Sequence, residues 1–160
     1  RSRTAILIDT RATGGRFRRD APVEAALSLA AAVTEALAAS DRVLELLVAG
    51  PRVYRFVSSG RGGYLEEVLD LLAAIDPVRS DPLDRLEPLL FEEIRALQSV
   101  LLLLTGWDQR RADLVRRIAD WEIGLKVVLI TSKPHAIADL PPEVKGLTAS
   151  QILNGEVRRL

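Results

Sequence analysis

The chain has 160 residues, 48% of them hydrophobic, and its 22 Lys and Arg balance its 22 Asp and Glu. A net charge of zero gives no support for nucleic-acid or polyanion binding, and an aromatic content of 4% argues against a stacking platform for single strands. The absence of Cys excludes disulfides, thiol catalysis and zinc–thiolate sites. "TAILIDT" (4–10) is a short continuous apolar run of the kind that forms a strand covered on both faces. The loop "RATGGRFRRD" (11–20) follows, and Asp20 is placed to cap a helix with Pro22 in its first turn. In that helix Val23, Ala26, Leu27, Ala30, Val33 and Leu37 recur at helical spacing.

"RVLELLVAG" (42–50) and "RVYRFVSS" (52–59) read as two further strands. The link between them is too short for a parallel crossover, so the pair is expected to be an antiparallel hairpin. "GYLEEVLDLLAAI" (63–75) is expected to be helical and to end before Asp76-Pro77. A second helix is expected over 80–97, with Pro82 in its first turn and Pro88 breaking or kinking it. "SVLLLLT" (99–105) reads as a central strand, and 108–122 as a helix capped by Asp108 with Leu114, Val115, Ile118 and Trp121 facing inward. "LKVVLIT" (125–131) and "VKGLTA" (144–149) complete the strands. Thr148 and Gln151 have capping-box spacing before a last helix, "SQILNGEVRRL". This order predicts an α/β domain with a doubly wound, mostly parallel six-stranded sheet and an antiparallel edge hairpin.

No apolar run approaches the ~20 residues of a membrane span, and no signal peptide is visible. The chain contains no Met, so it is expected to be processed or to be one domain of a longer parent.

The order of elements resembles the von Willebrand factor A domain. More closely, the chain resembles the C-terminal domain of domain-of-unknown-function family 58, bacterial proteins associated with MoxR-type AAA+ ATPases. The carriers are "ILIDTRAT", "PVEAALSLAAAV", "LDRLEPLLFEEI" before "VLLLLTGWDQRRADLV", and "LTASQILNGEV", so the likeness covers almost all of 1–160. The resemblance implies a single von Willebrand factor A-like domain, a MoxR-type ATPase as partner, and a membrane anchor preceding Arg1 in the parent. The domain itself is expected to be soluble and cytoplasmic, with no membrane contact of its own.

The resemblance also implies a metal-ion-dependent adhesion site, built from Asp-x-Ser-x-Ser after the first strand, a Thr before the second helix and an Asp after the fourth strand. Mg²⁺ requires hard oxygen ligands in a near-octahedral array. Here Asp9 matches and Thr13 substitutes for the second Ser, but Arg11 stands where the first Ser is implied. Gly62, Gly63 and Tyr64 surround the Thr position, and Gly106 stands where the acid is expected, two residues before Asp108. A guanidinium repels a cation, so no metal and no other cofactor are expected. Arg11 is expected instead to fill the metal's space near Asp9, Thr13 and Asp108.

Asp9 also has a simpler reading, as acceptor of N–H groups from its own turn. Arg11, Arg16, Arg18 and Arg19 make the following loop basic. They form either an acidic-partner site at the ligand edge of the sheet or a solvated turn. Thr105, Trp107 and Asp108 belong to the same edge. Trp107 suits a protein interface beside an arginine loop, or packs over the neighbouring helix. Asp9, Arg11, Thr13, Arg16, Arg18, Thr105, Trp107 and Asp108 are therefore the expected partner-binding set, with no catalytic residue. His135, the one histidine, has no second titratable partner nearby in sequence, and Lys133 in "TSKP" reads as a solvated loop residue.

The competing class is an enzyme. Haloacid-dehalogenase-like phosphatases begin with a strand followed by Asp-x-Asp-x-Thr, and "DTRAT" keeps the first Asp and the Thr. Arg11 at the general-acid position cannot protonate a leaving group near neutral pH.

Overall fold

The computed structural model describes residues 2–14, 20–50, 52–58, 64–133 and 140–155. Arg16, Arg18, Arg19, Gly62, Gly63 and His135 lie outside the described residues. Six strands form one sheet in the order β3-β2-β1-β4-β5-β6. They are β1 (Ser2–Ile8), β2 (Arg42–Ala49), β3 (Val53–Val57), β4 (Ser99–Leu104), β5 (Gly124–Thr131) and β6 (Val144–Thr148). All neighbours are parallel except β2 and β3, which pair antiparallel with Leu47 opposite Arg55. The hairpin expected from the short link is present, at the edge of the sheet.

The helices are α1 (Ala21–Ala38), α2 (Leu65–Ala73), α3 (Leu83–Glu93), α4 (Gln109–Ala119) and α5 (Ala149–Leu153). On β1, Ile6 and Ile8 face one core with residues of α1, α2 and α5. Ala5 and Leu7 face the other, with residues of α3 and α4. Successive strand residues point to opposite faces, so a run covered on both sides reads as continuously apolar. Asp20 caps α1 by accepting from the Val23 N–H, and Thr148 and Gln151 make both bonds of the capping box at α5.

Three expectations need correction, and the one at Pro88 is narrowed. Trp121 does not face inward. Helix α4 stops at Ala119, Glu122 takes a positive φ of 55°, and Trp121 is left 42% exposed on the resulting turn. Pro88 does not break α3, which runs through it. The carbonyl that loses its N–H partner belongs to Asp84, and both residues are exposed, so water can take that bond. Helix α5 ends at Leu153, ahead of Gly155 at φ 71°, and residues 156–160 of the expected last helix lie outside the described residues. Finally, α1 is long and apolar enough to cross a membrane, with a mean hydropathy of 1.3. In the fold it packs its Val23, Ala26 and Ala30 stripe into a core, as a central helix of a globular domain does.

Candidate functional site

The C-terminal ends of β1 and β4 define the site. The strand β1 ends at Ile8, and the Asp9 N–H then donates to the Leu103 carbonyl at 2.8 Å. The buried Thr10 hydroxyl donates to Ala49 O at 2.6 Å, tying the turn to β2. Beyond it the chain runs beside the segment leading to α3. The Val78 N–H donates to Thr10 O, and the Ala12 N–H donates to Val78 O. This short parallel bridge between Arg11 and Val78 draws Asp81 up to Asp9. On the other side Asp108 caps α4, accepting from the Arg111 N–H at 2.9 Å.

At the centre lies Arg111, 1% exposed. Its Nε and Nη2 donate to the two oxygens of Asp9, at 2.9 and 3.2 Å. Its Nη1 and Nη2 donate to the two oxygens of Asp81, at 3.1 and 3.0 Å, and Nη1 also donates to Asp108 Oδ2 at 2.9 Å. A guanidinium has five N–H donors in a fixed fork. All five end on carboxylate oxygens from three separate segments of the chain. Burial alone would lower the Arg111 pKa, but the hydrogen bonds and charges of Asp9 and Asp81 more than reverse this, so the net shift is upward. For Asp81, burial pushes the carboxyl up. The Arg111 hydrogen bond, the Leu83 N–H and the nearby charges of Arg111 and Arg110 outweigh burial, and its pKa is lowered.

The cation at the centre is thus Arg111 and not Arg11. Helical side chains lean back toward the helix N-terminus, so a long side chain in the first turn of α4 reaches over Asp108 to the end of β1. Arg11 stays at the rim, 46% exposed, with Nη1 3.5 Å from Asp81 and 3.7 Å from Asp108. Thr13 turns away from Asp9, its hydroxyl donating to the Asp20 carboxylate at 2.9 Å. Thr105 does join the site: its N–H donates to Asp9 Oδ2 at 3.2 Å and its hydroxyl to Arg11 O at 3.1 Å. Asp9 accepts from its own turn as well, through the Arg11 N–H at 3.2 Å. Trp107 is half-buried and packs against the core on the α3 and α4 side. A cleft of about 360 Å³ opens between Arg11, Thr13, Trp107 and Asp108, with Asp9 and Arg111 at its floor.

The residues present do not fit a divalent cation. Asp9 would be the central ligand, but each of its oxygens already accepts two N–H groups, which uses the roughly four acceptor positions of a carboxylate. Among the described residues no group of three His, Cys, Asp or Glu side chains is spaced to hold a metal ion. The sequence carried a signal for this arrangement. Arg111 lies three and four residues before Leu114 and Val115, on the stripe that α4 buries.

No protein-family model matches the chain, and no curated protein matches it. Among solved structures, the chain is similar to the crystal structure of the conserved hypothetical protein BatB from Bacteroides thetaiotaomicron, with a TM-score of 0.50 over 81% of this chain. The identity is 10%, so the likeness is one of fold alone, and the chain spans 66% of the BatB chain. The fold is von Willebrand factor A-like.

Proposed function

We propose that this domain is a non-enzymatic protein-interaction module, with a recognition edge that is a degenerate metal-ion-dependent adhesion site working without metal. The observation that carries the reading is Arg111, whose guanidinium is enclosed by Asp9, Asp81 and Asp108 at the edge where such folds present their ligands. Its charge is part of the chain, so the edge needs no ion from solution. Arg11, Trp107 and Asp108 border the cleft above it and are the contact residues within the described part of the site. Arg16 and Arg18 join them on sequence grounds. Arg11 offers a half-exposed guanidinium fork to a partner's carboxylate.

The partner we propose is a MoxR-type AAA+ ATPase in the cytoplasm. This rests on the resemblance of "ILIDTRAT", "VLLLLTGWDQRRADLV" and "LTASQILNGEV" to family 58. Titration calorimetry of the domain against such an ATPase should give the same Kd with Mg²⁺ and with chelator. Arg11→Glu should weaken binding by about tenfold or more. Binding that needs Mg²⁺, or that is unchanged in both Arg11→Ala and Arg11→Glu, would overturn the reading.

The phosphatase alternative requires Asp9 as a free nucleophile. Its side chain is 1% exposed and both oxygens are engaged, which argues against attack on phosphorus. An assay with Mg²⁺ and an aryl phosphate is expected to give no turnover. Turnover abolished by Asp9→Asn would reverse the assignment.

A further inference from the structure

The free edge of β3 carries an independent message. Among the described residues no strand pairs with its outer side. The Ser58 N–H donates to Leu44 O and the Gly50 N–H to Arg52 O. In an antiparallel pair, alternate residues direct their backbone groups to opposite sides. Arg52, Tyr54, Phe56 and Ser58 therefore bond toward β2, while Val53, Arg55 and Val57 point their N–H and C=O groups outward.

The sequence of this strand is Val-Tyr-Arg-Phe-Val, which reads almost the same in both directions about Arg55. A second copy laid antiparallel, with the two-fold axis through Arg55, brings Val53 opposite Val57 and Tyr54 opposite Phe56. Arg55 then faces its own copy. Every outward backbone group finds a partner in this register. The aromatic pair falls at the non-hydrogen-bonded position, where side chains approach most closely. Val57, 47% exposed in the single chain, gains an apolar neighbour. The like charges at the axis are neutralised in advance, because each Arg55 is paired with Glu45 at 2.8 Å and Glu93 at 3.0 Å in its own chain. The opposite edge, β6, has the sequence Val-Lys-Gly-Leu-Thr, with no such symmetry and with the Lys and Gly that blunt an edge.

We propose that β3 is a self-pairing edge, and that two copies of this chain associate through it into one continuous sheet. The symmetry is isologous, so the contact closes at two copies. Sedimentation equilibrium across the micromolar range should show a monomer–dimer equilibrium. Val57→Lys, at an exposed position that leaves the fold intact, should raise the dimer Kd about tenfold, because two symmetric valine contacts are lost.

The register has its own readout. The chain contains no Cys, so single cysteines are unambiguous. Paired residues in hydrogen-bonded register lie about 5.5 Å apart at Cα, within disulfide reach. A mixture of Val53→Cys and Val57→Cys proteins should form a cross-linked heterodimer on oxidation, and neither protein alone should do so. A monomer at every concentration, a dimer untouched by Val57→Lys, or cross-linking as strong in the single proteins as in the mixture would each overturn the proposal. The affinity for an ATPase partner is a separate measurement and does not bear on this one.

Discussion

Two buried ion clusters lie at different ends of the sheet and are built in opposite senses. At the C-terminal edge, a guanidinium, Arg111, is enclosed by three carboxylates. Toward the N-terminal end of β1, a carboxylate, Glu45, is enclosed by two guanidiniums. Arg3 reaches it at 3.1 Å and Arg55 at 2.8 Å, and Glu93 closes the ring between those arginines at 3.5 and 3.0 Å. The second cluster alternates in sign and sums to zero within itself. The first is one cation against three anions, and it approaches neutrality only when Arg11 and Arg110 at the rim are included. The difference separates a brace from a site. The ring clamps β1, β2, β3 and the end of α3 with its charges closed inward. The Arg111 cluster leaves a half-exposed cation, Arg11, at the mouth of a cleft.

The sharpest way to break this comparison is to remove the central cation. Arg111→Met leaves the buried Asp9 carboxylate facing Asp81 and Asp108, and a loss of about 3–5 kcal/mol is expected, measured by urea unfolding at neutral pH. Arg111→Lys should recover only part of it, since an ammonium cannot span both bidentate partners. A loss below that of any rim substitution would remove Arg111 from the centre of the account. Glu45→Gln comes next, at about 1–3 kcal/mol, because Arg3 and Arg55 keep Glu93 and reach solvent. If it cost more than Arg111→Met, the ring would be the more strained of the two clusters.

Acid sharpens the contrast further. The Asp81 pKa is lowered in the fold from an ordinary value of 3.8, so its contribution to stability is present above that value and is lost as pH falls below it. Asp81→Asn should flatten the stability profile below about pH 4 relative to the parent, as followed by thermal melts. An unchanged acid limb would mean that other carboxylates set it. The smallest effect is reserved for the rim: Arg11→Ala should cost about 0–1 kcal/mol, since both of its contacts are long and exposed.

The sheet was legible because its evidence is local. Continuous apolar runs marked β1, β4 and β5, and a link too short for a crossover forced β2 and β3 antiparallel. Caps were legible for the same reason: Asp20, Asp108 and Thr148 each act within three residues of themselves. Half of the site was not. Asp9 and Asp108 stood in a recognisable pattern, but Asp81 stands in a segment that reads as a helix start. It reaches Asp9 only through the pairing of Val78 with Thr10 and Ala12. Arg111 by itself reads as a solvated residue, as most charged residues in helices are. The buried stripe of α4 marks it otherwise. Trp121 misleads for the converse reason, as a large apolar side chain two residues beyond where the helix stops.

The apolar helix α1 has one more consequence, in time. Its buried stripe packs against β4, β5 and α5, all of which follow it in the chain. On a ribosome adding roughly 5–20 residues per second, the hundred or so residues between α1 and α5 take about 5–20 s to appear. Through that interval a helix as greasy as a membrane span has no finished core to enter. The speed with which the later strands arrive sets how long that apolar face stays uncovered.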